Sequence, residues 1–200
     1  MKEGKALRIG GYISGGTLIV FGIAVIALGI WGFAFTRDHI ERENIVFGPI
    51  EDPAVAEHAE QWAGEPVETG RQALAMAEIM REHTLSGTGG LTYAEMGRYQ
   101  SADDPSDPAG TSDEAAAAKD ANGEPISNSA RNTWVTETAL ATALDMGFMS
   151  EMLSIFSIIV GVALLLTGIG LVILAMAVFG RWRPVAATAA PAPVPGAAPG

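Results

Sequence analysis

The sequence predicts an all-α membrane protein, in which a two-helix transmembrane hairpin carries a small helical extracytoplasmic cap and disordered tracts. The first observation behind this prediction is that apolar and charged residues are segregated: the 200-residue chain is 48% hydrophobic, yet its formal net charge is −11. Residues 10–35 and 152–180 contain no Asp, Glu, Lys, Arg or His, whereas residues 37–151 hold 22 of the 23 acids and a formal net charge of −15. The second observation is a repeat of small residues that both uncharged blocks share.

Each uncharged block is long enough to cross a bilayer as a helix, which takes about 20 apolar residues at a rise of about 1.5 Å each. Only a helix satisfies its own backbone polar groups in lipid without neighbouring strands. We therefore predict transmembrane helices over residues 10–36 and 152–180. The first block has the alternative of being a cleaved signal peptide. Its apolar stretch is longer than the roughly 7–15 residues of such segments, which favours a retained signal anchor.

The charges that flank the two spans predict their orientation. Three basic residues precede the first span and two follow the second, while the opposite ends of both spans carry acids. These bases are Lys2, Lys5, Arg8, Arg181 and Arg183. Because basic flanks stay on the cytoplasmic side, we predict a cytoplasmic N-terminus over residues 1–9 and a cytoplasmic tail over residues 181–200. Residues 37–151 then lie outside the cell membrane.

Small residues recur every seven positions in both predicted spans. We predict that they are the helix-packing positions: Gly15, Gly22, Gly29, Ser154, Gly161, Gly168 and Ala175. Such a repeat gives each helix one smooth stripe, and smooth stripes let helix backbones approach closely in lipid. The stripes either face each other in an antiparallel hairpin, which we favour, or pair with a second copy of the chain.

Two helices are predicted in the outer region. Residues 69–85 place apolar side chains on one face and charged ones on the other, which is typical of a helix packed on a core. Residues 128–151 have helical spacing, with Ser129 or Asn132 as the cap. No Pro interrupts the chain before the second span, so we predict one helix of about 45 residues. The helix over 69–85 would pack on its face that carries Trp134 and Leu144.

The remaining outer segments are shorter or irregular. Residues 54–62 are rich in Ala and Glu and predict a short helix, and Thr92 with Glu95 has the spacing of a capping box that would begin another. The tract over about 101–128 is polar and has no hydrophobic period, so we predict disorder there. We also predict disorder for the Ala/Pro-rich tail over 181–200.

The residue types exclude several functions. The absence of cysteine excludes disulfide, thiol and cysteine-ligated metal chemistry, and the acidic outer region excludes a nucleic-acid partner. His39, His58 and His83 each lie near acids, which is suitable chemistry for zinc or iron, but no two have the i, i+3 or i+4 spacing of a metal motif. Neither span contains an ionisable residue, which argues against transport. We therefore predict no catalytic, cofactor or metal site, and no enzyme.

Three segments resemble a family of small two-span membrane proteins of actinobacteria. They are AMAEIMREH at 75–83, TGGLTYAEM at 88–96 and RNTWVTETAL at 131–140. The resemblance covers most of residues 10–180 and implies a cell-envelope protein without an established activity. Members are often labelled as aromatic ring-opening dioxygenases, and that label implies a non-haem iron site of His and carboxylate groups. The histidines of this chain lack the spacing that such a site would need.

We therefore expect a non-enzymatic membrane protein that acts as an accessory or interaction subunit in the cell envelope. Its expected partners are the bilayer and either another protein or a second copy bound through the small-residue stripes. One alternative is a metal-dependent, dioxygenase-like enzyme that uses His39, His58 and His83. Another is an envelope sensor, which would need a partner because we expect no cytoplasmic output domain in residues 1–9 or 181–200.

Overall fold

The computed structural model describes residues 2–179. Its helices are α1 (Lys2–Arg42), α2 (Pro53–His58), a one-turn 3₁₀ helix (Glu60–Trp62), α3 (Gly70–Gly87) and α4 (Ser129–Phe179). No β-strand occurs in this part of the chain, which confirms the all-α class for it, and only isolated β-bridges link its loops. The disorder predicted for the tail 181–200 concerns residues outside the described part.

Helices α1 and α4 are both long and apolar enough to cross a membrane. Their mean hydropathy in the most apolar window is 2.5 and 2.8, and only 11% and 17% of those windows are buried. Both helices extend beyond the predicted spans: α1 continues through the charged run up to Arg42, and α4 is a single helix of 51 residues. The prediction of one long C-terminal helix without a break is thus confirmed.

The described residues form two compact units. The first unit contains residues 2–23 of α1 and residues 161–179 of α4, and the second unit contains residues 24–160. In the first unit the two helices are antiparallel, because successive residues of α1 contact α4 in reverse order. Gly11 meets Ala175, Gly15 meets Gly168, and the later residue Gly22 meets Gly161.

The second unit has its own hydrophobic core, formed where α2 and α3 pack on the outer parts of α1 and α4. Its buried members are Ile40, Phe47, Ala54, Val55, Ala59, Val67, Ala73, Met76, Ala77, Ile79 and Leu144. Local capping positions the two short helices on this core. Asp52 precedes α2, whose first residue is Pro53, and its side chain accepts a hydrogen bond from the N–H of Ala54. Thr69 and Gln72 form a complete capping box at the start of α3.

The helix predicted to start at Thr92 does not form. The Glu95 side chain accepts hydrogen bonds from both the N–H and the hydroxyl of Thr92, as in a capping box. The chain then turns instead of continuing, and Gly97 pairs with Ala109 through a backbone hydrogen bond. Side-chain bonds of this kind can begin a helix, but at Thr92 they close a turn. The residues that follow form backbone hydrogen bonds with a loop that is distant in the sequence.

The disorder predicted for residues 101–128 is corrected by the structure, in which this tract is a hydrogen-bonded loop. Backbone bonds join Tyr99 to Thr111 in both directions, and others join Ala102 to Ala116 and Ile126 to Ala118. Aspartates close the turns within the loop by accepting hydrogen bonds from N–H groups two residues ahead; they are Asp104, Asp107, Asp113 and Asp120. Polar groups therefore stabilise a tract that has too few apolar residues for a core of its own.

The cap of α4 also differs from the prediction. Asn128, rather than Ser129 or Asn132, accepts a hydrogen bond from the N–H of Ala130, at 3.0 Å. Its amide nitrogen donates to the carbonyl oxygens of Gly97 and Pro108. One buried side chain thus joins the start of α4 to two points of the preceding loop.

Candidate functional site: the helix seam and the outer groove

Among residues 10–35 and 152–177, the seven predicted packing residues are the buried ones. Within residues 10–35 only Gly15, Gly22 and Gly29 are buried, and within residues 152–177 only the four predicted positions of α4 are. Several large apolar side chains of the same blocks lie outside this small-residue seam. Phe21, Trp31, Phe156 and Ile159 are each more than 60% exposed.

In the first unit the seam leaves no room for side chains. A Cβ atom placed on Gly15 would lie 2.7 Å from the carbonyl oxygen of Gly168, and one on Gly168 would lie 2.7 Å from the carbonyl oxygen of Gly15. A Cβ on Gly22 would lie 2.7 Å from the carbonyl oxygen of Gly161 and from the backbone nitrogen of Leu165. Backbone therefore packs directly on backbone, which is the arrangement that small residues permit in lipid.

In the second unit, small residues of α1 and α4 also pack closely on each other. A Cβ on Gly29 would lie 2.8 Å from the carbonyl oxygen of Ser154, and one on Gly32 would lie 2.8 Å from the Ser154 hydroxyl oxygen. Two further residues extend the seven-residue repeats, namely buried Thr36 on α1 and Gly147 on α4. The sequence carried this signal, since Thr36 follows Gly29 by seven positions.

A buried carboxylate joins α3 to the two long helices. The Glu151 Oε2 atom accepts a hydrogen bond from the N–H of Gly70 at 2.9 Å and lies 3.4 Å from Nε of Arg37. The Glu151 side chain is 5% exposed and that of Arg37 is 38% exposed. The negative charge lies at the N-terminus of α3, where the helix dipole favours it. The acids next to the second span, of which Glu151 is one, predicted only the orientation of that span.

Helix α3 also contacts the outer part of α4 through aromatic and polar groups. The guanidinium of Arg81 lies 5.5 Å from the ring centroid of Trp134, while Leu144 belongs to the core that α3 covers. The indole N–H of Trp134 donates to the carbonyl oxygen of Leu91 at 2.9 Å. The buried Trp134 therefore has its polar atom satisfied by the turn that follows α3.

The three histidines lie in three different settings. His58 Nε2 lies 3.1 Å from Glu82 Oε2, and His83 Nε2 lies 2.9 Å from Asp52 Oδ2, so two His–carboxylate pairs connect α2 and its cap to α3. His39 is on α1, where its ring nitrogens lie 2.8 and 3.0 Å from Nη2 of Arg42.

One group of possible metal ligands occurs among the described residues. Glu57, His58 and Glu82 each offer one ligand atom, and these atoms lie within 4.8 Å of one another. His39 and His83 do not belong to this group, so the structure does not bring the three histidines together. The group has the His and carboxylate chemistry that suits zinc.

Hydrogen bonds lower the pKa of four carboxyl groups outside the apolar blocks. The His83 side chain lowers the pKa of Asp52, and the N–H of Thr92 lowers that of Glu95. In the folded loop, the hydroxyl of Ser106 lowers the pKa of Asp104, and the N–H of Glu124 lowers that of Asp120. A charged carboxylate accepts hydrogen bonds better than its protonated form does. The donors in these turns, and the His83 side chain, therefore favour the charged form.

An open groove of about 670 Å³ lies beside the outer part of the seam in the second unit. Its walls are mainly apolar and include Phe35 and Ile40 of α1, Met80 of α3, and Leu140 and Met146 of α4. Polar side chains line its edge; they are Thr36, His39, Glu43 and Ser150. Sequence patterns did not reveal this groove, because three segments that are distant in the sequence form it.

Comparisons with known proteins found no match: no family model, no curated protein and no solved structure is similar to the chain.

Proposed function

We propose that the chain is an integral membrane protein that acts as an accessory or interaction subunit in the cell envelope, without enzymatic activity of its own. Its two apolar helices would span the bilayer as an antiparallel hairpin, with residues 37–151 outside and both termini in the cytoplasm. The observation that carries this proposal is the division of side chains in the two apolar blocks. Small residues are buried in the seam, and large apolar residues such as Phe21 and Phe156 are exposed.

This division supports a lipid environment for physical reasons. A helix buried in a soluble protein would have its large apolar side chains covered by other residues. Here the covered side chains are the smallest ones, so burial by protein contributes little hydrophobic free energy to these helices. Lipid is the environment in which exposed Phe, Leu and Ile are stable while close backbone packing joins the two helices. The basic N-terminal flank at Lys2, Lys5 and Arg8 supports the orientation.

Single cysteines test this topology, since the natural chain has none. Ser112→Cys lies in the exposed outer loop and Ala6→Cys lies near the N-terminus. In intact cells a membrane-impermeant maleimide is expected to label Ser112→Cys but not Ala6→Cys, and permeabilisation should make both react. Labelling of Ala6→Cys alone in intact cells would contradict the orientation. Loss of the peptide that contains residue 6 from the mature chain would show cleavage of the first span.

The accessory role has its own test. The chain is expected to leave native membranes in mild detergent as part of a particle clearly larger than its own 20.8 kDa, with a second protein in fixed stoichiometry. The outer region supports this role, because a folded loop with dense negative charge presents a defined surface to a basic partner. A single chain that leaves the membrane alone would contradict it.

A metal-dependent enzyme is a second candidate, and the observation that favours it is the group of Glu57, His58 and Glu82. Metal analysis of the purified chain distinguishes the two candidates. One zinc or iron per chain that disappears in His58→Ala, but stays in the matched variant His39→Ala, would favour the enzyme. Substoichiometric metal that is the same in both variants would favour the accessory subunit.

A further inference from the structure

Three side chains at the contact between α2 and α3 bring metal-binding atoms together. Glu57 and His58 are the last two residues of α2, and Glu82 lies on α3. Nε2 of His58 lies 3.1 Å from Oε2 of Glu82, and one ligand atom from each of the three side chains lies within 4.8 Å of the others. In a tetrahedral zinc site, bonds of about 2.0–2.1 Å place the ligand atoms about 3.3 Å apart. A short movement of the exposed Glu57 side chain would therefore complete the geometry.

Buried neighbours already fix the backbone that carries these ligands. Val55 and Ala59, on either side of Glu57 and His58, are each 1% exposed and belong to the core of the second unit. The Asp52 side chain caps the start of α2. A bound ion would thus need to order only side chains, whereas a site on an unanchored segment would also have to order the backbone.

The charge at this contact favours a cation. Among the described residues, the ion pairs give Glu82 only His58 as a partner and give Glu57 none, so no Lys or Arg neutralises either carboxylate. An ion with two positive charges would neutralise both. The imidazole identifies the ion as zinc, since magnesium and calcium prefer oxygen ligands alone.

The exposure of the ligands determines how firmly zinc is held. The side chains of His58 and Glu82 are 29% and 39% exposed, so water can reach the group and supply a fourth ligand. With two carboxylates in place of thiolates, the ion can also exchange with solvent. We therefore expect zinc to leave in metal-free buffer, unlike the retained metal that the enzyme candidate predicts.

We propose that Glu57, His58 and Glu82 form a reversible zinc site that links α2 to α3. Bound zinc would resist the separation of the two helices, so the local stability of the second unit would depend on the zinc concentration around it. The site goes beyond the accessory role and does not depend on the membrane placement, because all three ligands belong to the second unit. Histidine spacing did not reveal it, since only one histidine takes part.

Zinc titration of the full chain in detergent micelles tests this proposal. The chain is first treated with a chelator, free zinc is then set with a zinc buffer, and a fluorescent indicator reports binding. We expect one zinc per chain and no competition from an excess of magnesium. When free zinc is about a hundred times the Kd, hydrogen exchange that requires α2 to separate from α3 should slow about a hundredfold.

Two exposed acids provide a matched pair of variants. Glu57→Gln removes one ligand and leaves the pair between His58 and Glu82 in place, so the fold should be unaffected. Its Kd for zinc is expected to rise at least about tenfold, since even the loss of a group that only supports a ligand has an effect of this size. Glu60→Gln removes an exposed acid that does not belong to the group and should keep the Kd of the natural chain.

The histidines provide a second matched pair. His58→Ala is expected to abolish zinc binding, while His83→Ala should preserve it, although His83 also pairs with a carboxylate at this contact. Equal zinc affinity in Glu57→Gln and Glu60→Gln would show diffuse attraction to an acidic surface and would overturn the site. Loss of binding in His83→Ala would overturn the choice of ligands. Zinc that binds the natural chain without slowing exchange in α2 would overturn the link between the helices.

Discussion

Replacing Gly22 with Leu is expected to destabilise the packed pair of long helices by about 3 kcal/mol, the upper end of the cost of overpacking a well-packed interior. A Cβ at this position would already lie 2.7 Å from two backbone atoms of α4, which cannot move aside as a flexible side chain could. The helices must therefore separate or shift. The measurement is the midpoint of thermal unfolding in detergent micelles, followed by circular dichroism.

Neighbouring glycines provide matched controls for this prediction. Gly16 lies beside the seam and has no atom within 4 Å of an added Cβ, and the same holds for Gly170 next to Gly168. Gly16→Leu and Gly170→Leu are expected to preserve the midpoint, while Gly168→Leu should lower it as Gly22→Leu does. Equal midpoints for Gly22→Leu and Gly16→Leu would show that the seam does not hold the helices together.

Replacing Glu151 with Ala is expected to destabilise the second unit by about 2–3 kcal/mol, since hydrogen bonds to a charged group are worth about 1.5–3 kcal/mol each. The variant leaves the N–H of Gly70 without its acceptor and Arg37 without its ion pair. Most of the effect should come from Gly70, because Arg37 is exposed enough for water to replace its partner. Hydrogen exchange should therefore become faster at the N-terminus of α3.

Two further variants separate charge from hydrogen bonding. Glu151→Gln keeps an oxygen acceptor for Gly70 and is expected to lose about half as much stability. Asp145→Ala removes an exposed acid from the same helix and should leave exchange in α3 unchanged. If Glu151→Ala preserved the exchange rates of α3, the carboxylate would not position this helix.

The features of the fold that follow from local patterns could be predicted from the sequence. The seam positions recur every seven residues, so they share one face of each helix whichever helix packs on that face. The same positions are buried in the structure. Helix α3 begins at Gly70, next to the predicted start at Thr69, because the amphipathic pattern starts there and the Thr69 side chain caps the helix. Helix α4 continues into its apolar block because no Pro or turn signal interrupts it.

Other features depend on contacts that leave no local pattern. The loop over 101–128 is stabilised by backbone pairing and by aspartates that close turns, so low hydrophobicity was a misleading signal there. The side chain of Asn128 is held in its capping position by hydrogen bonds to the carbonyl oxygens of Pro108 and Gly97, which lie 20 and 31 positions earlier. Glu151 contacts Gly70 across 81 positions, and three distant segments form the groove. Such long-range contacts become visible only when the helices are in place.

The central claim is that the small-residue seam joins two helices of the same chain within a membrane. Gly32 and Ser154 test it most directly, because their Cβ atoms would lie 3.8 Å apart, the usual distance in a disulfide. In oxidised native membranes, Gly32→Cys combined with Ser154→Cys is expected to form a disulfide within one chain. The linked peptides should be found by mass spectrometry, in a product that migrates as a single chain. Gly16→Cys combined with Gly170→Cys should form none. A disulfide that joins two copies, or no disulfide in the first pair, would contradict the claim.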